Sequence, residues 1–137
     1  MYKVIGKTNT RAMRVLWAMH EIGLEFDHIK AAAQSIEAQK ANISGKVPSL
    51  ILNDITITDS TAIITYLADK YSQLTYPAGT IERAQQDSFT QFILDELDSI
   101  LWSAARHSFV LPKELRVSEL KDTLQWEFAK SLKILES

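Results

Sequence analysis

The stretch Gly45-Lys46-Val47-Pro48-Ser49-Leu50-Ile51-Leu52-Asn53-Asp54-Ile55-Thr56-Ile57-Thr58-Asp59-Ser60 constrains the fold more than any other part of the chain. A glycine and a proline punctuate it just before the apolar run Leu50-Ile51-Leu52. Asn53-Asp54 is a tight-turn pair, and Ile55 to Thr58 alternates as a strand does, so the two runs predict an antiparallel hairpin. Asp59-Ser60 then opens a helix, with Ser60 as its N-cap and Ala62, Ile63, Tyr66, Leu67 and Tyr71 as its apolar stripe. Upstream, Tyr2 to Gly6 is short and β-prone, and the polar loop Lys7-Thr8-Asn9-Thr10 follows it. Val15, Leu16, Met19 and Ile22 fall at helical spacing, and Gly23 is placed to end that helix. Phe26 to Lys30 reads as a second strand, which Asp27 and His28 put at an edge. Strand, helix and parallel strand make a right-handed crossover. With a short helix expected between Ala31 and Ile43, the order is β-α-β-α-β-β-α.

The character changes at Tyr76-Pro77-Ala78-Gly79, which has the chemistry of a linker. Two domains are expected, over residues 1–77 and 78–137. In the second, Phe89, Phe92, Ile93, Leu97, Ile100 and Leu101 mark one long helix. Leu120, Leu124, Phe128, Leu132 and Leu135 mark another, with Pro112 between them. Two helices leave much of their apolar faces uncovered, so this region needs the first domain, further helices or a second copy of itself.

At 137 residues, 46% hydrophobic and 23% charged, the chain can bury a core. A net charge of −2, with no run of like charge, recommends neither nucleic acid nor an anionic membrane as partner. Cysteine is absent, which excludes disulfide scaffolds, thiolate metal sites and every mechanism with an enzyme thiol. His20 and His28 have no carboxylate or second histidine at ligand spacing, so no metal is expected. No apolar run approaches the ~18 residues of a membrane span, and the N-terminus does not look like a signal peptide, so the expected compartment is the cytoplasm.

Three features together resemble the soluble glutathione transferases. They are the element order followed by helices, the loop Gly45-Lys46-Val47-Pro48-Ser49-Leu50, and the helix start Asp59-Ser60-Thr61-Ala62-Ile63-Ile64-Thr65-Tyr66-Leu67. The stretch Arg14-Val15-Leu16-Trp17-Ala18-Met19-His20-Glu21 also looks like the first helix of bacterial members. The resemblance implies an α/β thioredoxin-like N-terminal domain followed by an all-α C-terminal region. That region is expected to be incomplete here, because family members carry about twice this helical length.

The resemblance also implies roles. Pro48 would be cis, and Val47 would offer its backbone N–H and C=O to the cysteinyl part of glutathione. The other reading of Pro48 is a turn before a strand. Lys46 would reach the glycyl carboxylate, unless it is a solvated surface lysine. Asp59-Ser60 lies at a helix start, where free N–H groups suit the γ-glutamyl carboxylate, with Asp59 attracting the neighbouring ammonium. A simple N-cap would need Ser60 alone. The family's thiol-activating Ser or Cys position falls on Asn9, so Asn9 and Thr10 are the expected activators, with Thr8 and Arg11 next. The alternative is a loop that caps the first helix and activates nothing. Trp102, Arg106 and His107, with Phe109, are candidates for the second-substrate pocket between the domains, although a Trp at helical spacing is also an ordinary core residue.

The function this implies is transfer of the glutathione thiolate to a small electrophile, in detoxification, by a cytoplasmic homodimer without a metal. The alternatives are a non-catalytic glutathione- or protein-binding module of the same fold, and a glutathione-dependent peroxidase or disulfide reductase.

Overall fold

The computed structural model describes residues 1–136. Contacts divide the chain into two compact units, Met1–Thr80 and Ile81 onward. In the first, β1 (Tyr2–Ile5) pairs in parallel with β2 (Phe26–Ile29) and antiparallel with β3 (Ser49–Leu52). β3 continues antiparallel to β4 (Ile55–Thr58), giving the sheet order β2-β1-β3-β4. The expected hairpin and crossover are therefore both present, and β2 is an edge strand.

Helices α1 (Ala12–Ile22) and α3 (Ser60–Tyr71) pack against each other over one face of the sheet. Strand alternation sends Tyr2, Val4 and Leu50 to that face. There they meet Val15, Leu16, Met19 and Ile22 of α1 and Ile63 and Leu67 of α3 in a single core. Gly23 ends α1 in a left-handed conformation, at φ +79°, with its N–H on the last carbonyls of the helix. Of the stripe predicted for α3, Ile63 and Leu67 are buried, Tyr66 and Tyr71 are half-buried, and Ala62 is exposed. The short α2 (Ile36–Ala41), capped by the Ser35 hydroxyl on the Ala38 N–H, packs on β1 and β3.

Ser49 is fully buried, and its hydroxyl has no hydrogen-bond partner among the described residues. A buried hydroxyl left unpaired loses its hydration with nothing in return. Ser49→Ala is expected to raise stability by about 1 kcal/mol. Urea denaturation of the two chains measures this, and a Ser49→Ala variant less stable than wild type would show that the hydroxyl is satisfied in solution.

The second unit departs from the single long helix expected around Phe89 to Leu101. Helix α4 (Ile81–Ile93) runs into a π-helical turn over Leu94–Asp98, then α5 (Ser99–Ala105), then a second π-helical turn over Arg106–Val110. The Ser99 hydroxyl donates to the Asp95 carbonyl inside the first turn, and the Leu111 N–H reaches back five residues to the Arg106 carbonyl at the second. A side-chain donor such as the Ser99 hydroxyl competes with the helical ladder. Helix α6 (Leu120–Glu136) packs on α5 and the first π turn. Within this unit Leu97 and Ser131 are buried, the latter with its hydroxyl 3.2 Å from a Glu96 carboxylate oxygen.

Candidate functional site

The register of the sheet brings three distant segments to one place. Ile5, Ser49 and Thr58 lie side by side on β1, β3 and β4. The residues just beyond that row, Gly6, Pro48 and Asp59, must therefore meet at one end of the sheet. Gly6 shows how closely. At φ +144° it has no room for a side chain, since a Cβ there would sit 2.6 Å from the Ala12 Cβ and 3.2 Å from the Val47 Cβ. The start of α1 and the Val47–Pro48 segment thus press on Gly6 from two sides. The Val47–Pro48 peptide bond is cis.

At the third segment the structure corrects the sequence reading. Asp59, not Ser60, is the N-cap of α3: its carboxylate Oδ1 accepts from the Thr61 N–H at 2.9 Å and the Ala62 N–H at 3.1 Å. Asp59 thus has a structural task of its own, which the expectation had denied it. It performs that task from φ +73°, an uncommon conformation for a residue with a Cβ. Ser60 becomes the first residue of the helix. It is buried, and neither its N–H nor its hydroxyl has a hydrogen-bond partner among the described residues. Two unpaired donors at the positive end of a helix favour an anionic acceptor.

The loop before α1 is divided in its roles. The Thr10 hydroxyl donates to the Lys7 carbonyl at 2.7 Å and accepts from the Ala12 N–H at 3.1 Å, so it closes the loop and caps the helix. Asn9 and Thr8 are exposed, and their side chains have no partner among the described residues. Arg11, the residue before α1, interacts with neighbouring groups. Lys46 is exposed with its ammonium unpaired, and the backbone N–H and C=O of half-buried Val47 take no partner among the described residues. Asn9, Thr8, Lys46, Val47, Asp59 and Ser60 therefore present open donors or acceptors at the same end of the sheet.

Trp102, Arg106 and His107 belong to the second unit. Trp102 is on α5, and Arg106 and His107 open the second π turn. The His107 Nδ1 accepts from the Val117 N–H at 3.1 Å, tying down the connection to α6. A polar cavity of about 370 Å³ in that unit is lined by other residues, among them Glu96, Trp126 and Lys130. Sequence reasoning missed an apolar groove of about 1020 Å³ on the first unit, lined by Thr8, Met13, Trp17, His20, Leu24 and Phe26 among others. The spacing of Met13, Trp17 and His20 along α1 was the available signal for this second stripe. At the start of β1, the Lys70 ammonium donates to the Tyr2 hydroxyl at 2.9 Å and the Tyr66 hydroxyl at 3.2 Å. Burial pushes the Tyr2 phenol up, while the two phenol oxygens hold the Lys70 ammonium protonated well above its ordinary range. This cluster is structural and lies at the far end of the strand from the site. Among the described residues no group of three or more metal-ligating side chains could hold an ion, and no helix is long and apolar enough to cross a membrane.

Comparison with known proteins agrees with the geometry. Residues 10–75 match the family described as glutathione S-transferase, N-terminal domain. The chain is 39% identical over 67 residues to glutathione S-transferase Z2 of Arabidopsis thaliana, covering 45% of this chain and 30% of that protein. It is 40% identical over 67 residues to glutathione S-transferase 1 of Dianthus caryophyllus, with the same coverage of 45% and 30%. The matching stretch therefore spans less than a third of the length of these curated relatives. The glutathione transferase URE2P6 of Phanerochaete chrysosporium, solved with oxidized glutathione, superposes with a TM-score of 0.83 at 26% identity, over 98% of this chain and 66% of that one. Glutathione transferase F7 of Populus trichocarpa superposes at 0.80 and 22% identity, over 99% and 70%, and shows the shared fold. With a thioredoxin-like sheet, a helical region after it and a match over residues 10–75, the first unit resembles the N-terminal domain of the glutathione S-transferases.

Proposed function

We propose that the chain binds glutathione across the end of the sheet and stabilises its thiolate for transfer to a small electrophile. The observation that carries this reading is Ser60, whose N–H and hydroxyl stand unpaired at the start of α3 beside the Asp59 carboxylate. The γ-glutamyl residue carries a carboxylate and an ammonium on one carbon, and this pair of groups complements both. Asp59 can cap with Oδ1 and still face the ammonium with its second oxygen. Val47 supplies a backbone donor and acceptor to the cysteinyl unit, as an added strand would find at a sheet edge, and Lys46 meets the glycyl carboxylate. Oxidized glutathione in the URE2P6 structure supports the same class of ligand.

The thiol then lies over the loop that opens α1. Asn9 is the activator this reading favours, because its amide N–H groups are uncommitted, whereas the Thr10 hydroxyl proton is held by the Lys7 carbonyl. Thr8 is the second choice. A thiol of pKa about 8.5 is about 3% ionised at pH 7, and lowering it by two units takes about 2.7 kcal/mol. One hydrogen bond to a charged acceptor gives about 1.5–3 kcal/mol, and the helix N-terminus adds up to about 1–2 kcal/mol. The nucleophile is the cosubstrate itself, so no covalent enzyme intermediate forms, and catalysis is proximity plus thiolate stabilisation. This reading assigns the electrophile to Trp102, Arg106 and His107 of the second unit. A homodimer in the cytoplasm, acting in detoxification, completes this reading.

The second reading is a glutathione-binding module without turnover. It is favoured by the capping task of Thr10 and by the lack of Tyr, Ser or Cys in the Thr8–Arg11 loop. Thiolate absorbance of bound glutathione against pH separates the two. The transferase reading expects a midpoint about two units below that of free glutathione. An unshifted midpoint in a saturated complex would leave the binding module.

A further inference from the structure

We propose that Asn42, together with Ser44 and Gln34, is a positioning residue of this site: it holds the backbone of residues 44–46 in the shape that presents Lys46 and Val47 to glutathione. The inference rests on the glutathione reading above and adds to it how the Lys46-Val47 arm is held in place.

The hydrogen bonds in this loop account for every backbone polar group of three successive residues. The Ser44 N–H donates to the Asn42 Oδ1 at 3.1 Å, and the Ser44 carbonyl accepts from the Gln34 Nε2 at 2.9 Å. The Gly45 N–H donates to the Asn42 carbonyl at 2.7 Å, and the Gly45 carbonyl accepts from the Gln34 N–H at 2.8 Å. The Lys46 N–H donates to the Ser44 Oγ at 3.3 Å, and the Lys46 carbonyl accepts from the Asn42 Nδ2 at 3.3 Å. The Ser44 hydroxyl completes the set by donating to the Asn42 Oδ1 at 2.9 Å. Pairing then stops abruptly at Val47, the residue whose open backbone groups the site needs.

Two conformations outside the usual regions hold this clasp shut. Gln34 sits at φ +67° and Gly45 at φ +64°, and a Cβ at Gly45 would meet the Gln34 side-chain amide at 2.6 Å. Left-handed backbone at a residue with a Cβ persists where the surroundings over-determine it. Asn42 is suited to the central place because one short amide accepts from residue 44 and donates to residue 46 at once. A loop fixed in this way before the ligand arrives spares the ordering entropy that a mobile Lys46-Val47 arm would lose on binding.

The test is a double-mutant cycle read by glutathione calorimetry on the full chain: wild type, Asn42→Ala, Lys46→Ala and the pair. Asn42→Ala is expected to weaken glutathione about tenfold, the scale of the hydrogen bonds it removes. Because Asn42 holds the backbone that carries the Lys46 side chain as well as Val47, part of its effect disappears with that side chain, so its loss is expected to weaken binding less in the Lys46→Ala background, a non-additivity that general destabilisation does not produce. Should Asn42→Ala fail to fold, Ser44→Ala removes the acceptor of the Lys46 N–H and one donor to the Asn42 Oδ1 while leaving the Asn42 amide in place, and is read in the same cycle. If the variants bind as wild type does, or if the two losses simply add, the positioning role is overturned while the glutathione reading stands. If wild type itself gives no heat, the glutathione reading fails and the inference fails with it.

Discussion

Gly6→Val is expected to lower stability by about 3 kcal/mol or more and to abolish glutathione binding in whatever fraction still folds. Two independent effects act at this position. The backbone there is at φ +144°, a region essentially restricted to glycine. A side chain would also be driven into the Ala12 Cβ at 2.6 Å and the Val47 Cβ at 3.2 Å. Neither neighbour is the far end of a flexible side chain, so relief requires α1 or the Val47–Pro48 segment to move. Gly6 is held from its other side too. Its N–H donates to the Ile29 carbonyl at 3.0 Å, and its carbonyl lies 2.7 Å from the His28 Nε2. Against the ~5–15 kcal/mol that holds a typical domain together, a loss of this size is a large fraction. Urea denaturation monitored by tryptophan fluorescence gives the measurement. A Gly6→Val chain with the wild-type midpoint would contradict the junction described here.

The parts of the fold legible in the sequence are those set by local rules. The hairpin followed from an Asn-Asp turn between apolar runs, and the edge position of β2 followed from Asp27 and His28. The end of α1 followed from Gly23. Each signal sits in the residues that form the feature. The meeting of Val47, Pro48, Asp59 and Ser60 at one end of the sheet was legible for the same reason, since they stand directly after or before strands whose pairing could be read.

What escaped were features fixed by individual hydrogen bonds. The cap of α3 is Asp59 and not Ser60, two neighbouring residues that both suit the role, and only the bonds to the Thr61 and Ala62 N–H groups decide between them. The difference matters chemically: it releases the Ser60 hydroxyl, which a cap would have occupied. The Thr10 hydroxyl was open to use as an activator until its bonds to Lys7 and Ala12 were seen. The clasp around Ser44–Lys46 depends on Gln34, ten residues before the serine whose carbonyl it holds. The π turns in the second unit lie within an apolar stripe that reads as one long helix, because a single wider turn leaves most of its spacing intact.

Ser60→Ala is expected to weaken glutathione by roughly ten- to a hundredfold while the unfolding midpoint stays within about 0.5 kcal/mol of wild type. The separation arises because the capping bonds belong to Asp59. Removing the Ser60 hydroxyl breaks no hydrogen bond in the free protein, and it removes one charge-assisted donor from the bound carboxylate. Such a bond contributes about 1.5–3 kcal/mol, which sets the range. The Ser60 N–H remains, so binding is weakened and not lost. A substitution that acted by loosening α3 would show the reverse pattern, a lower midpoint with little change in affinity.

Titration calorimetry of glutathione into wild type and Ser60→Ala, side by side with both chains folded, tests the central claim most directly. The account predicts a saturable exothermic isotherm for wild type and one shifted to at least tenfold higher concentration for the variant. Equal isotherms, or no heat from wild type at millimolar glutathione, would contradict it.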